Sequence, residues 1–497
     1  MKSLKIAFIT PEALPFVKTG GLADISGTLP HLLSAMGHSV RMILPLYRQI
    51  KSGNYDLNPM GVDIECTIGG KRHRGEIYRL KDKEPGMEIL FIRNDFFFDR
   101  EELYRDVKTG TDYDDNDERF IFFSRGLLEG LKKTGWVPDI LHANDWQASL
   151  VAAYLKTVFK DDSFFSRSKS LLTIHNLAYQ GQFPSMTFEK IGVENGLFAP
   201  AGPFEYWGKV NFLKSGIVFA DHISTVSPTY AEEIQTSSDY GMGLEGVIRD
   251  RANDLSGILN GVDYSTWSPK VDKLIPYRYS PANLSGKKKN KLELLNRANL
   301  PLRNEDPLVG MISRLDNQKG FDLLEAAMEY LMNLRIQMVL LGTGDMKYHD
   351  YFRSVQSKYP DKFRVFLEFD NKLAHLIEAG ADIFLMPSRY EPCGLNQMYS
   401  LKYGTVPLVR KTGGLADTVM NFDEISMKGN GFVFEKYDAA DMIVALKRAI
   451  GLYGQKRIWH RIIKQGMAQD FSWDSSAQQY EKLYFKLASR VPEGVIT

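Results

Sequence analysis

Short apolar runs alternate with amphipathic stretches along almost the whole chain. The runs have the length of strands, and the stretches between them repeat their apolar residues at helical spacing. This alternation predicts an α/β fold in which helices cover parallel sheets. A last helix is predicted after residues 471–474, where Asp or Ser can cap it, and it runs to Leu487. The predicted strands cover residues 6–9, 39–44, 88–92, 140–143, 170–173, 222–225, 308–312, 337–341, 364–366, 383–386, 406–409 and 431–434.

One heptapeptide, Lys-Thr-Gly-Gly-Leu-Ala-Asp, occurs at residues 18–24 and again at 411–417, each time shortly after a predicted strand. A glycine loop that opens a helix lets backbone N–H groups and a lysine approach an anion closely. Two such loops in two halves of the chain indicate two similarly wound domains that face one ligand. For either copy alone, a tight strand-to-helix turn is a sufficient explanation.

The length of 497 residues exceeds what one core usually supports, and a domain boundary is predicted near residues 255–260. The formal net charge of +1 argues against nucleic acid and a membrane surface as partners, so local lysines and arginines must hold any anionic ligand. The run Lys287-Lys288-Lys289 is expected to be a solvated face.

The two cysteines, Cys66 and Cys393, form neither a disulfide framework nor a multi-cysteine zinc site, and they favour a reducing cytoplasm. The start of the chain is interpreted as the first strand instead of a signal peptide, because its apolar stretch is short and Pro11-Glu12 follows at once. No apolar run reaches the length of a membrane span.

Polar residues gather where predicted strands of the second half end, which is where doubly wound sheets bind ligands. Arg314 and Lys319 can converge on a diphosphate, although a solvated loop explains them equally well. Glu391 precedes a Pro-Cys-Gly turn, and residues 394–397 can offer N–H groups at a helix start. A helix N-terminal carboxylate is the structural alternative for Glu391.

In the first half, Asp145 and His175 follow two strands, where they suit sugar hydroxyls or proton transfer, unless they are satisfied loop residues. No metal-binding pattern is present, so neither a metal nor a cofactor is expected. The acidic cluster at residues 112–117 lacks the glycine and terminal glutamate of a calcium loop and is interpreted as a surface loop.

These motifs together resemble the bacterial glycogen synthases and plant starch synthases. The resemblance rests on both Lys-Thr-Gly-Gly-Leu loops, His-Ala-Asn-Asp-Trp at 142–146, Thr-Ile-His-Asn-Leu-Ala-Tyr-Gln-Gly at 173–181, Leu-Asn-Gly-Val-Asp at 259–263, Ser-Arg-Leu-(x)3-Lys-Gly at 313–320 and Glu-Pro-Cys-Gly-Leu-(x)-Gln at 391–397. It runs from about residue 5 to 490 in the right order. It implies the glycosyltransferase B (GT-B) architecture, two Rossmann-like doubly wound parallel-sheet domains that face a deep cleft. The implied domains are residues 1–258 on the acceptor side, 259–473 on the nucleotide-sugar side, and a terminal helix, 474–497, that returns to the first domain.

The resemblance also implies a role for each matching residue. Arg314 and Lys319 would stabilise the departing nucleoside diphosphate, and Glu391 would be the glutamate of the catalytic loop. Asp145 is similar to an acceptor-side carboxylate and His175 to a histidine near the anomeric carbon of the donor. The remaining implied contacts are Lys18, Gly20, Gly21, Asn260, Cys393, Gly394 and Leu395 on the nucleotide sugar, Phe369 on the nucleobase, and Tyr104 on the acceptor.

Two positions depart from related sequences. Gln147 stands where bacterial members often have a second histidine, which argues against a proton role there. Tyr399 stands where the broader superfamily has a second glutamate, so the ribose contact must come from elsewhere.

The predicted function is glucose transfer from ADP-glucose to the non-reducing end of an α-1,4-glucan, such as glycogen or a maltooligosaccharide, with retention of configuration. Three alternatives stay open at this point: a glucosyltransferase that uses UDP-glucose, a related transferase that acts on sucrose or a small acceptor, and a two-lobed protein that only binds nucleotide sugar or glucan.

Overall fold

The computed structural model describes residues 3–81, 85–303 and 305–489, which fall into two compact units. The first unit contains the described residues up to Val226, Ala231–Ile258, and the described residues from Trp473 onward. The second unit contains Ser227–Tyr230 and Leu259–Ser472. Each unit is built around its own sheet, which is mainly parallel in the first unit and wholly parallel in the second.

The first unit holds a nine-stranded sheet in the order β12-β11-β7-β6-β1-β2-β5-β4-β3 and a small three-stranded sheet in the order β8-β10-β9. The large sheet is parallel except at β4 and β3, and the small sheet is antiparallel. The strands are β1 Lys5–Ile9, β2 Ser39–Pro45, β3 Leu57–Ile68, β4 Lys71–Leu80, β5 Met87–Arg93, β6 Ile140–Asn144, β7 Lys169–Ile174, β8 Gln182–Phe183, β9 Glu205–Tyr206, β10 Lys209–Asn211, β11 His222–Thr225 and β12 Leu255–Gly257.

The second unit holds a six-stranded parallel sheet in the order β15-β14-β13-β16-β17-β18. Its strands are almost entirely buried apolar residues, as expected for a parallel sheet that is covered on both faces. The strands are β13 Leu308–Ile312, β14 Gln337–Leu341, β15 Phe363–Phe366, β16 Ile383–Met386, β17 Val406–Arg410 and β18 Phe432–Phe434.

Helices follow most strands and cover the sheets. In the first unit α6 packs on α5 and α8, while α20 packs on α2 and β6. In the second unit three separate apolar clusters form, one with α13, α14, α18 and α19, one with α12 and α15, and a small one of Val409, Leu415 and Val419 at α17. The helices are α1 Gly21–Ser26, α2 Leu29–Ala35, α3 Arg48–Lys51, α4 Asp95–Phe98, α5 Asn116–Thr134, α6 Asp145–Lys156, α7 Thr187–Ile191, α8 Phe212–Phe219, α9 Pro228–Glu233, α10 Ser238–Gly241, α11 Glu245–Asp250, α12 Ser285–Arg297, α13 Phe321–Asn333, α14 Met346–Lys358, α15 Asn371–Gly380, α16 Asn396–Tyr403, α17 Gly413–Thr418, α18 Ala439–Tyr453, α19 Lys456–Met467 and α20 Trp473–Ala488.

Each large sheet reverses its winding direction once near its centre. The chain winds outward from β1 to β2 on one side and from β6 through β7 to β11 on the other, so the switch lies between β1 and β6. In the second unit the switch lies between β13 and β16. Loops at the carboxyl ends of such neighbouring strands diverge and leave a crevice for a ligand.

The structure confirms all twelve strands predicted from apolar runs, with small differences at their ends. The antiparallel strands β3 and β4 were not predicted, because neither has a continuous apolar run: the apolar residues of β3 alternate with polar ones, and β4 is mostly polar. The short strands of the small sheet were missed for the same lack of an apolar run.

Two expectations about charged surface segments were wrong. Lys287 lies in α12 and is buried, where its Nζ donates to Thr405 Oγ1 at 2.6 Å and to the Ala379 carbonyl at 3.2 Å. This burial lowers the pKa of Lys287 to about 7. The acidic cluster is not all surface loop, because α5 begins at Asn116 and the buried Asp117 accepts from Lys190 Nζ at 2.8 Å.

Candidate active site

In the first unit, the lysine–glycine loop after β1 is fastened to an internal carboxylate. Glu12 is 4% exposed and accepts from Thr19 N and Thr19 Oγ1, both at 2.5 Å, and from Gly20 N at 3.3 Å. The hydroxyl of Tyr104 donates to the same carboxylate at 2.9 Å. Two backbone N–H groups that the sequence offered to an anion therefore point at Glu12, and an outside anion must use groups further along the loop.

Lys18 and the glycine pair remain accessible at this loop. Lys18 Nζ pairs with Asp24 at 2.8 Å, and its side chain is 41% exposed. A Cβ added at Gly20 or Gly21 would meet no atom within 4 Å, so open space lies beside both glycines. These glycines are not required by contacts of the protein itself, and the space suits a ligand that approaches the backbone.

The second copy of the heptapeptide has the opposite environment. A Cβ at Gly413 would lie 2.0 Å from the carbonyl oxygen of Glu391, and one at Gly414 would lie 2.0 Å from that of Cys393. Gly413 also has a φ of 43°, which L side chains rarely adopt. Here the glycines let α17 pack directly against the loop that carries Glu391, so the tight-turn explanation holds for this copy.

Asp145 and His175 meet at the ends of the adjacent strands β6 and β7. The backbone N–H of His175 donates to Asp145 Oδ1 at 2.7 Å, and His175 Nε2 lies 2.9 Å from the side-chain oxygen of Asn144. The Asn144 amide in turn donates to the Ile9 carbonyl at 3.0 Å, which ties the pair to β1. Asp145 has a φ of 56°, a strained value for a residue other than glycine that is typical of functional sites.

Burial sets the charge of both groups. It raises the pKa of Asp145 to about 7 and lowers the pKa of His175 to about 3. His175 is therefore neutral at physiological pH, and with Nε2–H directed at Asn144 its Nδ1 carries the lone pair. Among the described residues, the buried Nδ1 has no hydrogen-bond partner. A ligand hydroxyl could donate to it.

In the second unit, Lys319 and Glu391 form an ion pair at the switch point. Glu391 follows β16 and is 5% exposed, while Lys319 lies in the loop after β13. Lys319 Nζ contacts the two carboxylate oxygens at 2.9 and 2.8 Å, and Ser388 Oγ donates to Glu391 Oε2 at 2.9 Å. The loops are pressed together at Gly320, where a Cβ would lie 2.0 Å from the Pro387 carbonyl oxygen.

Arg314 and Phe369 present exposed side chains after β13 and β15. Arg314 is 55% exposed at its side chain and lies 3.6 Å from Asp316. Phe369 is 85% exposed between β15 and α15. An exposed cation and an exposed ring at the carboxyl ends of two strands of one sheet suit a ligand with a phosphate and a flat base.

The residues around the Pro-Cys-Gly turn form the start of α16. Gly394 has a φ of 70°, and Leu395 is the residue before the helix, so this end of α16 opens from a glycine turn. Burial raises the pKa of the Cys393 thiol to about 12, although the Asn260 backbone N–H and side chain lie beside it. Cys393 is therefore an uncharged packing residue, and Asn260 is a neighbour of the turn.

The structure also contains site residues that the sequence did not single out as candidates. Glu12, Asn144 and Ser388 each position a predicted residue or loop. All three follow or end a predicted strand, which was the available signal, but their partners come from other strands. Within residues 3–81, 85–303 and 305–489, no group of three or more His, Cys, Asp or Glu side chains could hold a metal ion. The same ranges contain no helix long and apolar enough to cross a bilayer.

Comparison with known proteins gives consistent matches over nearly the whole chain. A family model described as starch synthase catalytic domain matches residues 5–250, and one described as glycosyl transferases group 1 matches residues 294–465. A glycogen synthase of Thermosipho africanus is 44% identical over 98% of this chain and 100% of that protein. One of Geotalea daltonii is 45% identical over 97% of this chain and 98% of that protein.

Two solved structures resemble the fold. The catalytic domain of starch synthase IV from Arabidopsis thaliana, bound to ADP and acarbose, aligns with a TM-score of 0.88 and 34% identity over 98% of this chain and 100% of that one. Sucrose-phosphate synthase from Thermosynechococcus elongatus aligns with a TM-score of 0.59 and 18% identity over 97% of this chain and 99% of that one, which is a likeness of fold alone.

Proposed function

The chain belongs to the family of bacterial glycogen synthases and plant starch synthases and is a glycosyltransferase of the GT-B fold. From that premise we propose that it transfers glucose from ADP-glucose to the non-reducing end of an α-1,4-glucan with retention of configuration. The observation that carries the proposal is the Lys319–Glu391 pair at the switch point of the second unit. There the ammonium can bind a leaving diphosphate while the adjacent carboxylate contacts the sugar.

Lys319 and Arg314 are the proposed binding groups for the diphosphate. An ammonium group has three N–H donors, and the contacts of Lys319 with Glu391 leave capacity for one phosphate oxygen. The guanidinium of Arg314 is exposed and can bind phosphate oxygens in pairs. Preorganised cations of this kind stabilise the charge that develops on the leaving group. Further contacts with the nucleotide sugar are proposed through side chains, backbone N–H groups or close packing. They come from Lys18, Gly20, Gly21, Asn260, Cys393, Gly394 and Leu395.

Glu391 is proposed to stabilise the sugar and not to attack it. Both of its oxygens contact Lys319 and Oε2 also accepts from Ser388, so about one of its four lone-pair positions is left, on Oε1. A carboxylate held in this way can accept from one glucose hydroxyl and stabilise developing positive charge. Retention would then follow from attack of the acceptor oxygen on the face that the diphosphate leaves, with a phosphate oxygen taking the proton.

The acceptor-side groups in the proposal are Asp145, His175 and Tyr104. His175 is neutral and its Nδ1 is a free lone pair within the described residues, so it can accept from a sugar hydroxyl but cannot act as a charged acid. Asp145 has a pKa of about 7, which lets it accept a hydroxyl proton or hold one near neutral pH. Tyr104 orients Glu12 beside the loop and lies at the edge of the same group of residues.

Two features support ADP as the nucleotide of the donor. The similar starch synthase IV structure is bound to ADP. Phe369 offers an 85% exposed ring, and a purine gives a larger stacking surface than a pyrimidine. UDP-glucose remains the alternative donor.

The deciding experiment is incubation of the protein with ADP-glucose or UDP-glucose, labelled in the glucose, together with glycogen. Incorporation of label at non-reducing ends, with α-1,4 linkage shown by enzymatic digestion, is the expected result. Binding of glycogen or nucleotide sugar without incorporation would support the two-lobed binding protein instead. Transfer to sucrose or to a small acceptor, but not to glycogen, would overturn the acceptor assignment.

A further inference from the structure

The turn between β9 and β10 carries a tryptophan where a turn rarely accepts one. Tyr206 pairs with Lys209, so Trp207 and Gly208 form a two-residue hairpin loop, with φ values of 51° and 75°. Positive φ at both central positions defines a type I′ turn, which favours Asn-Gly. A bulky residue in this conformation is a genuine outlier, and such outliers persist where surrounding structure and function require them.

The indole of Trp207 is also 86% exposed, and no aromatic side chain of the described residues is more exposed. Both the backbone conformation and the exposure disfavour tryptophan for folding. The turn is nevertheless held firmly, because Glu205 accepts from Gly208 N at 2.7 Å and from Ala201 N at 3.0 Å. A rigid hairpin therefore presents a large flat ring to the outside.

The face of the small sheet next to this turn is polar and rich in amides. Opposite residues of an antiparallel pair share a face, and alternate residues along a strand do as well. By this rule Tyr206, Lys209, Asn211 and Gln182 lie on one face, on which Lys209 and Gln182 are exposed, Tyr206 is half-buried and Asn211 is buried. Asn211 Nδ2 and Gln182 Nε2 both donate to Gln180 Oε1, at 2.7 and 3.0 Å.

This combination matches the surface of a sugar chain. A pyranose ring has an apolar face of C–H groups, which stacks on an aromatic ring, and a rim of hydroxyls, which bond to amides and ammonium groups. Gln182 and Lys209 are exposed and can supply such contacts.

The small sheet is also continuous with the acceptor-side residues of the same unit. β8 follows the segment that begins at His175, and a Cβ at Gly181 would lie 2.4 Å from the ring of Trp146, the residue after Asp145. The ring of Phe183 lies 5.7 Å from that of Trp146. These contacts place the β8 end of the small sheet against the first turn of α6, the helix that begins with Asp145.

We propose that Trp207 and the Gln182–Lys209 face form an ancillary binding surface for α-glucan chains, which favours long acceptors over short ones. This inference rests on the proposed function in taking the acceptor to be an α-1,4-glucan. The surface acts by holding the polymer and takes no part in the chemical step.

Trp207→Asn tests the inference, because asparagine suits the turn and removes only the ring. The KM for glycogen should rise about 3- to 10-fold, the range expected for loss of one aromatic contact. The kcat, the KM for the nucleotide sugar and the KM for maltotriose should stay within about twofold. The melting temperature should not fall. Phe96→Ala, which removes a 68% exposed ring elsewhere in the first unit, is the matched control and should leave the glycogen KM unchanged.

Migration in native gels that contain glycogen measures binding to glycogen without any turnover. Glycogen should retard the wild type, and it should retard Trp207→Asn less but Phe96→Ala equally; this result supports the surface. If the same wild-type protein transfers no glucose, the proposed function is overturned and the binding surface is not. Equal retardation of wild type and Trp207→Asn, or equal changes in KM for maltotriose and glycogen, would overturn the ancillary surface.

Discussion

A buried carboxylate is stable only while its partners are present, and Glu391 has one charged partner among its hydrogen-bond donors in the described structure, Lys319. The side chains are 7% and 20% exposed, so little water can replace the ammonium. Removing one member of such a pair leaves an uncompensated charge. The two residues must therefore be treated as a coupled unit when their variants are compared.

Lys319→Ala should lower kcat by about 10² to 10³, the effect of losing one preorganised electrostatic group. It should also lower the melting temperature by about 5 °C or more, because Glu391 loses its counter-charge. Glu391→Gln should lose most activity while it keeps the fold. Kinetics and calorimetry on both variants provide the measurements.

The double variant Lys319→Ala/Glu391→Gln separates charge from packing. It should melt higher than Lys319→Ala alone, since a neutral amide no longer needs the ammonium. Arg314→Ala is the control: its side chain is 55% exposed, so activity should fall without a change in melting. A double variant that melts no higher than Lys319→Ala would show that the pair is not electrostatically coupled.

Asp145 predicts a pH dependence of stability. Its pKa of about 7 lies above the ordinary value of 3.8, so the folded state prefers the protonated form. The resulting stabilisation is fully present below the unfolded pKa and is lost as the pH rises through about 7. Asp145→Asn removes this loss. Between pH 5 and the pKa of about 7, the wild type loses about 1.4 kcal/mol of stability per pH unit. The melting temperature of the variant relative to wild type should therefore rise by about 5 to 10 °C between pH 5 and pH 8. A constant difference across that range would contradict the assignment.

At the scale of elements, one heptapeptide serves two purposes. The copy before α1 faces open space at its glycines, whereas the copy before α17 packs on the backbone of residues 391–393. Gly413→Ala should therefore destabilise the second unit, by an amount measurable as a lower melting temperature. Gly20→Ala should leave melting unchanged and raise the KM for the nucleotide sugar. Loss of stability in Gly20→Ala, or normal stability in Gly413→Ala, would contradict this distinction.

Strands were predictable where both faces are buried, because their apolar runs are continuous, as in β13 and β14. Sequence neighbours alone could not show that Lys287 turns inward, since its partners Thr405 and Ala379 come from distant parts of the chain. The same limit applies to Glu12, whose carboxylate occupies backbone N–H groups that the glycine motif alone offers to an anion. Site residues at strand ends were predictable as positions, but their hydrogen-bond partners were not.

At the scale of the whole molecule, two doubly wound sheets each place their candidate residues at the point where strand order reverses, as the general rule for such sheets requires. For this reason motifs far apart in sequence, such as residues 313–320 and 391–397, lie side by side in one unit. The sequence alone could indicate two such sheets, because the motifs recur at strand ends in both halves.

The donor preference tests the molecule as an enzyme. We expect ADP-glucose to exceed UDP-glucose at least about tenfold in kcat/KM, and Phe369→Ala to reduce kcat/KM for ADP-glucose, since stacking on one aromatic ring contributes about 1 to 3 kcal/mol per base. Tyr330→Ala, which truncates an exposed ring of the second unit, is the matched control. Equal or better use of UDP-glucose by the wild type would reverse the nucleotide assignment and leave the transferase assignment in place.

Because helix α20 belongs to the first unit, that unit cannot finish folding until the second unit has been synthesised. The Tyr484 hydroxyl of this helix lies 2.7 Å from His142 Nδ1 in β6, and its Glu481 lies 3.2 Å from His38 Nε2, so the last helix completes a core begun by the first residues. The ribosome must translate residues 259–472 in between, which takes about 10 to 40 s at about 5 to 20 residues per second. During that interval the nascent first unit exposes the site of α20. The second unit can therefore finish folding before the first.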